Sequence, residues 1–432
     1  MNRYKTSKNI ISTKIDNEWY LMSFISKKVI KLSENEYKTL KKEKFDNFNN
    51  EDIEELEKLG IIVDNISGKT QEYNSFIKKK IEEIQNDKTF ELTIMPSIIC
   101  NLKCKYCYES NRKYEKNNMD YLDVRKIKKF IELNSKNAQE IRISFTGGEP
   151  LINSKVVVDI VNWVKDFGLK MDKQIYISLS SNLSLEVNSE ILELINKKQI
   201  NHIETTIAGN EVVHNKLRNS NNKSGYSVTV KNIADLSKLT KIIINFNVHS
   251  ENYKTILEDT LNVIKQSKKP ENIYIVYNRV VSYDNNPCEE IVISKEKYNE
   301  SVLNAYNYLL DKGINICDAT CFDNNYIYCN GCKENFYTII PGGYLFKCSS
   351  NFSKNNSIGF IDEIGEIKYN GSKNIKDSNN IISCEECEYF YYCCGGCLSS
   401  DKKEGCCPIE IGSLNEYFKI YLKKNYLCWF YN

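Results

Sequence analysis

Between Phe90 and Val280, six short runs rich in β-branched residues recur: Phe90–Met95, Ile141–Thr146, Ile175–Leu179, His202–Ile207, Ile242–Val248 and Ile273–Val280. Helix-length segments separate them, and this rhythm constrains the fold more than any other feature. Antiparallel strands can be joined by two residues, whereas parallel strands need a crossover of a dozen or more, so the rhythm predicts parallel pairing. The first crossover, Asp120 to Asn134, puts Val124, Ile127 and Ile131 on one face. Six such units predict an α/β fold, a partial (β/α)6 barrel spanning residues 89–310. In such barrels the reactive residues sit at the C-terminal ends of strands. Two stretches fall there: CNLKCKYC, from Cys100 to Cys107, and TGGEP, from Thr146 to Pro150.

Cysteine usage is the second constraint. Of 17 cysteines, three lie between 100 and 107, one at Cys288, and the rest from Cys317 onward. A disulfide framework belongs to small secreted domains, which 432 residues without an apolar N-terminal signal do not resemble, so metal is the expected role. Three thiols at C-x3-C-x2-C leave one position of a four-iron, four-sulfur cluster open, and an open iron implies chemistry. A zinc site with a distant fourth ligand is the alternative. The 59 basic and 57 acidic residues nearly cancel, which gives no basis for bulk attraction to nucleic acid or an anionic membrane. No stretch is long and apolar enough to span a bilayer, so the expectation is a cytoplasmic protein with neither a nucleic-acid nor a membrane partner.

Residues 1–88 read as a separate winged-helix-like module. Ile10 to Ile15 and Trp19 to Ile25 alternate like strands, Ser33 and Glu36 form a capping box, and Ile53, Leu56 and Leu59 share a helix face that Gly60 ends. Seventeen basic against 16 acidic residues lack the footprint of a DNA reader, although a DNA-binding redox regulator is the reading from another class. A peptide adaptor that adds an extended segment to a strand edge suits the composition better. From residue 311 to 432 the chain is irregular, with a hairpin at FYTIIPGGYLFKC and too few apolar residues for a core of its own, so metal is expected to complete it.

The triplet Cys100, Cys104 and Cys107, with Tyr106 before the last cysteine, resembles the signature of the radical S-adenosylmethionine (SAM) family, whose fold is a partial TIM-type barrel. The resemblance implies that the open iron is chelated by SAM and that an electron from the cluster cleaves it to a 5′-deoxyadenosyl radical. By the same resemblance Gly147, Gly148 and Glu149 hold the methionine amino group, and Ser180, Asn182 and Arg218 touch its ribose and carboxylate. Where the family shows Thr-Asn-Gly this chain has Ser180, Ser181, Asn182 and Leu183, and Ala208 stands where an aspartate is usual, followed by His214 and Arg218.

CEECEYFYYCCGGC, with Gly343, Cys348 and Cys407 around it, is similar to the SPASM domain, which in relatives holds two auxiliary four-iron, four-sulfur clusters. That likeness implies Cys384, Cys387, Cys393 and Cys407 for one cluster, and Cys348, Cys397 and one or both of Cys329 and Cys332 for the other. Cys288, Cys317, Cys321, Cys394, Cys406 and Cys428 stay unassigned, as buried thiols, proton donors or spare ligands. The whole resembles a maturase of ribosomally synthesised peptides that joins a cysteine sulfur to carbon as a thioether. Its partners would be a precursor peptide with a leader segment and an electron donor such as flavodoxin or ferredoxin. Carbon–carbon crosslinking, epimerisation and anaerobic sulfatase-type maturation are the alternatives. Ser349 and Ser350, where a sulfatase maturase usually carries an aspartate, argue against the last.

Overall fold

The structure is a computed structural model. It describes residues 3–64, 69–110, 115–218, 225–282, 286–317, 330–350, 356–371, 390–393 and 413–427. The chain divides into two compact units, one of residues 1–87, 320–329 and 376–432, the other of residues 88–319 and 330–375.

In the first unit, β1 (Tyr4–Thr6), β2 (Ile10–Ile15), β3 (Glu18–Ser23) and β4 (Val29–Leu32) are followed by α1 (Glu34–Lys41), α2 (Asn50–Lys58), β5 (Ile62–Asp64) and α3 (Lys69–Gln85). Strands β2, β3 and β4 form an antiparallel sheet in that order, and β1 pairs with β5. The capping box is present: Ser33 Oγ accepts from Glu36 N at 3.3 Å and Glu36 Oε2 accepts from Ser33 N at 2.7 Å. Because successive strand side chains alternate, adjacent residues of β3 serve opposite faces. Leu21 joins Leu32, Leu40, Phe45, Leu56, Ile61 and Ile62 on one side. Met22 joins Ile11, Phe24 and Phe76 on the other, and that core is completed by Phe390 and Tyr391 of a short helical turn and by Leu414, Phe418, Tyr421 and Leu422.

The start of α1 holds an exposed ionic cluster in which the Glu34 carboxylate accepts from Lys14 Nζ at 2.8 Å and Trp19 Nε1 at 2.9 Å, with Lys38 Nζ at 3.2 Å. These donors, Lys14 foremost, hold Glu34 down to about 2. A carboxylate lowered on folding stabilises above its unfolded value near 4.5, and the contribution is lost as pH falls from there toward 2. Glu34→Gln is therefore expected to flatten the dependence of urea stability on pH between 5 and 3. An unchanged slope in that window would show that the cluster does not form in solution.

The second unit holds the predicted alternation: β6 (Thr89–Ser97), α4 (Tyr121–Asn134), β7 (Glu140–Gly147), α5 (Ser154–Met171), β8 (Gln174–Ser180), α6 (Ser189–Asn196), β9 (His202–Ile207), α7 (Glu211–Arg218), α8 (Gly225–Leu236), β10 (Lys241–Val248), α9 (Ile256–Gln266), β11 (Ile273–Arg279) and α10 (Lys295–Asp311). Strands β6 to β11 are parallel and adjacent in chain order. Beyond residue 311, β12 (Phe336–Ile340) lies parallel to β6, and β13 (Tyr344–Phe346), β14 (Gly359–Ile361) and β15 (Ile367–Tyr369) continue the same sheet antiparallel. The expected hairpin is β12–β13. One set of alternating residues, including Leu92, Ile143, Ile177, Ile203, Ile244 and Ile275, is fully buried in the apolar core. Val124, Ile127 and Ile131 of α4 are buried as their spacing requires. Among the described residues no helix is long and apolar enough to cross a membrane.

Candidate functional site

The other alternating set is polar. Thr146, Ser180, Thr206, Asn245, Asn247 and Asn278 line a cavity of roughly 410 Å³ at the C-terminal ends of the strands. Cys100, Cys104, Cys107 and Tyr106 line the same cavity, as do Gly147, Gly148, Asn182 and Arg218. The barrel thus brings the sequence-predicted residues together because the cysteines and Tyr106 follow β6, the glycines end β7, Asn182 follows β8 and Arg218 follows β9, and all such loops open on one side.

The cysteine loop leaves β6 at Ser97 and is gripped by the glycine turn. Gly148 N donates to Ser97 O at 3.1 Å and Glu149 N to Ile99 O at 2.9 Å. A β-carbon on Gly147 would sit 2.6 Å from Ser97 O, and one on Gly148 would sit 2.4 Å from Ile99 O; Gly147 also has φ of +111°. Only glycine permits this approach.

Glu149 lies behind the lining, fully buried. Its Oε1 accepts from Leu151 N at 3.0 Å and Ser181 Oγ at 2.8 Å, and its Oε2 from Asn182 N at 2.8 Å. Burial pushes its acidity constant up, opposed by those three donors. Read from sequence as a partner for an ammonium, this carboxylate in the structure fastens the turn after β7 to the turn after β8. Asn182, so placed, directs Nδ2 at Cys100 Sγ at 3.7 Å and at Asn101 Oδ1 at 2.9 Å.

Arg218 closes α7 with only 6% of its surface exposed. Its Nη1 donates to Thr206 O at 2.8 Å, and its buried Nε has no hydrogen-bond partner. A buried cation on a cavity wall favours an anionic ligand group nearby. His214 is explained locally: its Nδ1 accepts from Ala208 N at 3.4 Å, and burial, reinforced by Arg218, keeps it neutral. His249 Nδ1 accepts from Glu251 N, so its Nε2 carries the proton and donates to Ala208 O at 3.0 Å. The two imidazoles hold the peptide on both sides of Ala208.

Burial pushes the Cys100 thiol up to about 12 and raises Cys107 as well. Occupation by a metal group reverses this, because metal replaces the thiol proton. Among the described residues, no three His, Cys, Asp or Glu side chains meet closely enough to hold a single metal ion. A four-iron cluster needs its thiolates only around the rim of a larger volume, and soft sulfur donors with an amide aimed at sulfur fit that group. Cys348 lies just after β13, its sulfur accepting from Ser350 N at 3.4 Å. Cys329, Cys384, Cys387, Cys397 and Cys407 lie outside the described residues, as do the side chains of Cys332 and Cys393. Cys321, Cys394, Cys406 and Cys428 do too.

Asn245, Asn247 and Asn278 are site residues that motif reading missed. A signal existed: in Ile244–Val248 every second position of a buried strand is Asn. Asn278 Nδ2 donates to Asn245 Oδ1 at 3.0 Å, which fixes two of these carboxamides in one uncharged wall.

Comparison with known proteins adds the following. Residues 94–262 match the model of the radical SAM superfamily. The radical SAM cyclopropyl synthase TigE of Paramaledivibacter caminithermalis is 25% identical over 426 residues, covering 90% of this chain and 84% of the relative. The structure of anSMEcpe with bound AdoMet matches at a TM-score of 0.56 and 17% identity, over 77% of this chain and 95% of that one. Streptococcus suis SuiB bound to precursor peptide SuiA matches at 0.53 and 16%, over 93% and 98%. At these identities the structural likeness is one of fold.

Proposed function

From the premise that this chain is a radical SAM enzyme, with that domain at residues 94–262, we propose that it closes a new bond within a ribosomally made peptide by net removal of two hydrogens. The observation that carries the peptide substrate is the likeness over 93% of the chain to SuiB in complex with its precursor peptide. TigE, named as a cyclopropyl synthase, supports oxidative ring closure of this kind. Two closures follow from that reading. A cysteine thioether is the one expected from the sequence, and a carbon–carbon bond is the one that the chemistry of TigE favours.

Cys100, Cys104 and Cys107 would hold the cluster, with Asn182 donating to the sulfur of Cys100. When bound, cluster and SAM supply a 5′-deoxyadenosyl radical that takes a hydrogen atom from carbon. Arg218 would place its positive charge beside the carboxylate of SAM, and the glycine turn, by letting the cysteine loop pack against residues 147–148, would set the loop that carries the cluster. The wall of Asn245, Asn247 and Asn278 presents uncharged donors and acceptors, which suits a peptide backbone and brings no competing acid or base to the radical. The thirteen cysteines from Cys317 onward support two auxiliary clusters as acceptors of the second electron. The first electron would come from a flavodoxin or ferredoxin. The first unit would grip the leader segment on an outer strand of its three-stranded sheet.

The test is anaerobic incubation of the reconstituted enzyme with SAM, dithionite and cysteine-bearing peptides drawn from the neighbouring reading frames, followed by high-resolution mass spectrometry. Loss of two hydrogens is the expected outcome. One thiol no longer alkylatable then assigns a thioether, whereas full alkylation assigns a carbon–carbon bond. Deuterium uptake without mass loss indicates epimerisation, and this, like an unmodified peptide in the presence of SAM cleavage, overturns the proposal.

A further inference from the structure

The backbone of the cysteine loop is held from two sides, and only one of them belongs to the motifs discussed above. On one side Lys103 N and Lys105 N donate to the last carbonyls of α7, Arg218 O at 3.3 Å and Leu217 O at 2.8 Å. The loop's own carbonyls point the other way and converge on a single side chain. Asn286 Nδ2 donates to Lys105 O at 2.8 Å, to Cys107 O at 3.1 Å and, more weakly, to Cys104 O at 3.4 Å.

This asparagine lies about 180 residues downstream of the loop, and described residues before and after it, Val280, Ser282, Cys288 and Ile291, are themselves held. Val280 N donates to Val248 O at 3.0 Å, and Ser250 N to Ile291 O at 2.9 Å, which tie Val280 and Ile291 to the exit of β10. Cys288 N donates to Ser282 Oγ at 2.9 Å, and Cys288 packs with Val280, Ile291 and Leu217 against the Tyr106 ring. A side chain that spans two ligand carbonyls and that of Lys105 between them sets the separation of those ligands. No sequence motif marks it.

We propose that Asn286 is a positioning residue for the cluster site: it fixes the backbone at Cys104 and Cys107, so that both thiolates stand in place before and after cluster assembly. The inference rests on the loop holding a cluster with an open iron.

The experiment compares reconstituted holoenzyme with the isosteric variant Asn286→Asp, which removes the donors and places a carboxylate against three carbonyls, and with Asn286→Ala. Partners in the shell beyond metal ligands typically contribute 10-fold to 100-fold in metal affinity, so release of iron to a chelator is expected to be about 10-fold faster in both variants. The electron paramagnetic resonance change that SAM induces, which reports only the cluster with an open iron, is expected to weaken or shift. Its midpoint potential is expected to move as well. Asn286 is half-buried and sits at a loop, so the fold is retained and circular dichroism serves as the check. Should Asn286→Ala unfold, Asn286→Asp carries the comparison. Wild-type iron release together with an unchanged SAM-induced spectrum in Asn286→Asp overturns the proposal. Failure of the underlying reading is distinct: the parent protein would then show no SAM-induced spectral change at all.

Discussion

Glu149→Ala is expected to destabilise the barrel unit by on the order of 3 kcal/mol and to abolish SAM binding along with it. The carboxylate is fully buried and accepts three hydrogen bonds, from Leu151 N, Ser181 Oγ and Asn182 N. Truncation leaves three donors without an acceptor in a place where water is excluded, and each such loss costs about 1–3 kcal/mol less whatever relaxation recovers. The buried Arg218 also loses an opposing charge. Glu149→Gln should recover part of the loss, since one amide oxygen can still serve Leu151 and Ser181, but its NH2 group then faces Asn182 N–H. The ranking parent, Gln, Ala in urea midpoint of the cluster-free protein checks the account. Equal midpoints for parent and Ala would mean that the network is not the fastening between β7 and β8.

Gly147→Ala carries the second large effect. The new methyl would lie 2.6 Å from Ser97 O and 3.0 Å from Met95 Cβ, at a φ of +111°. Backbone strain of this kind costs about 1–3 kcal/mol, and forced overpacking against main chain typically a further 1–3 kcal/mol. The neighbouring strand end cannot yield without opening the pairing of Ser97 with Gly147, from which the cysteine loop departs. The expected result is a loss of about 2–6 kcal/mol in urea stability, with iron incorporation at the three cysteines reduced in proportion. Gly371→Ala is the control, because that glycine has positive φ of +88° but nothing within 4 Å of the added methyl. If the two substitutions behave alike, steric approach at the turn is not what selects glycine there.

What could be read beforehand follows from the range of the interactions. The six parallel strands were legible because each side of a strand writes its environment into every second residue, and α1 because a capping box spans only four positions. The cysteine triplet and the glycine turn could be singled out because each is contiguous, and the structure brings both to one cavity. Three things were not legible. The role of Glu149 depends on Ser181 and Asn182, 32 and 33 residues away. Asn286 reaches loop carbonyls some 180 residues distant, and nothing in its neighbours announces a clamp. The pairing of β12 with β6 sets Phe336 beside Glu91 through backbone bonds that carry no side-chain signature. Leu414, Phe418, Tyr421 and Leu422 have helical spacing that predicts an apolar face, but spacing alone does not name the surface that covers it.

That surface is Ile11, Met22, Phe24 and Phe76, and the order of synthesis gives the fact a further meaning. A ribosome delivers roughly 5–20 residues per second, so the strands at the start of the chain wait tens of seconds before Leu414 to Leu422 arrive to close their core. Until then that face of the β2–β4 sheet is covered only by Phe76 and its neighbours, which leaves apolar surface exposed on a nascent chain. The module is thus sealed last although it is begun first, and a chain that ends before residue 414 is expected to leave apolar surface of its own first strands uncovered.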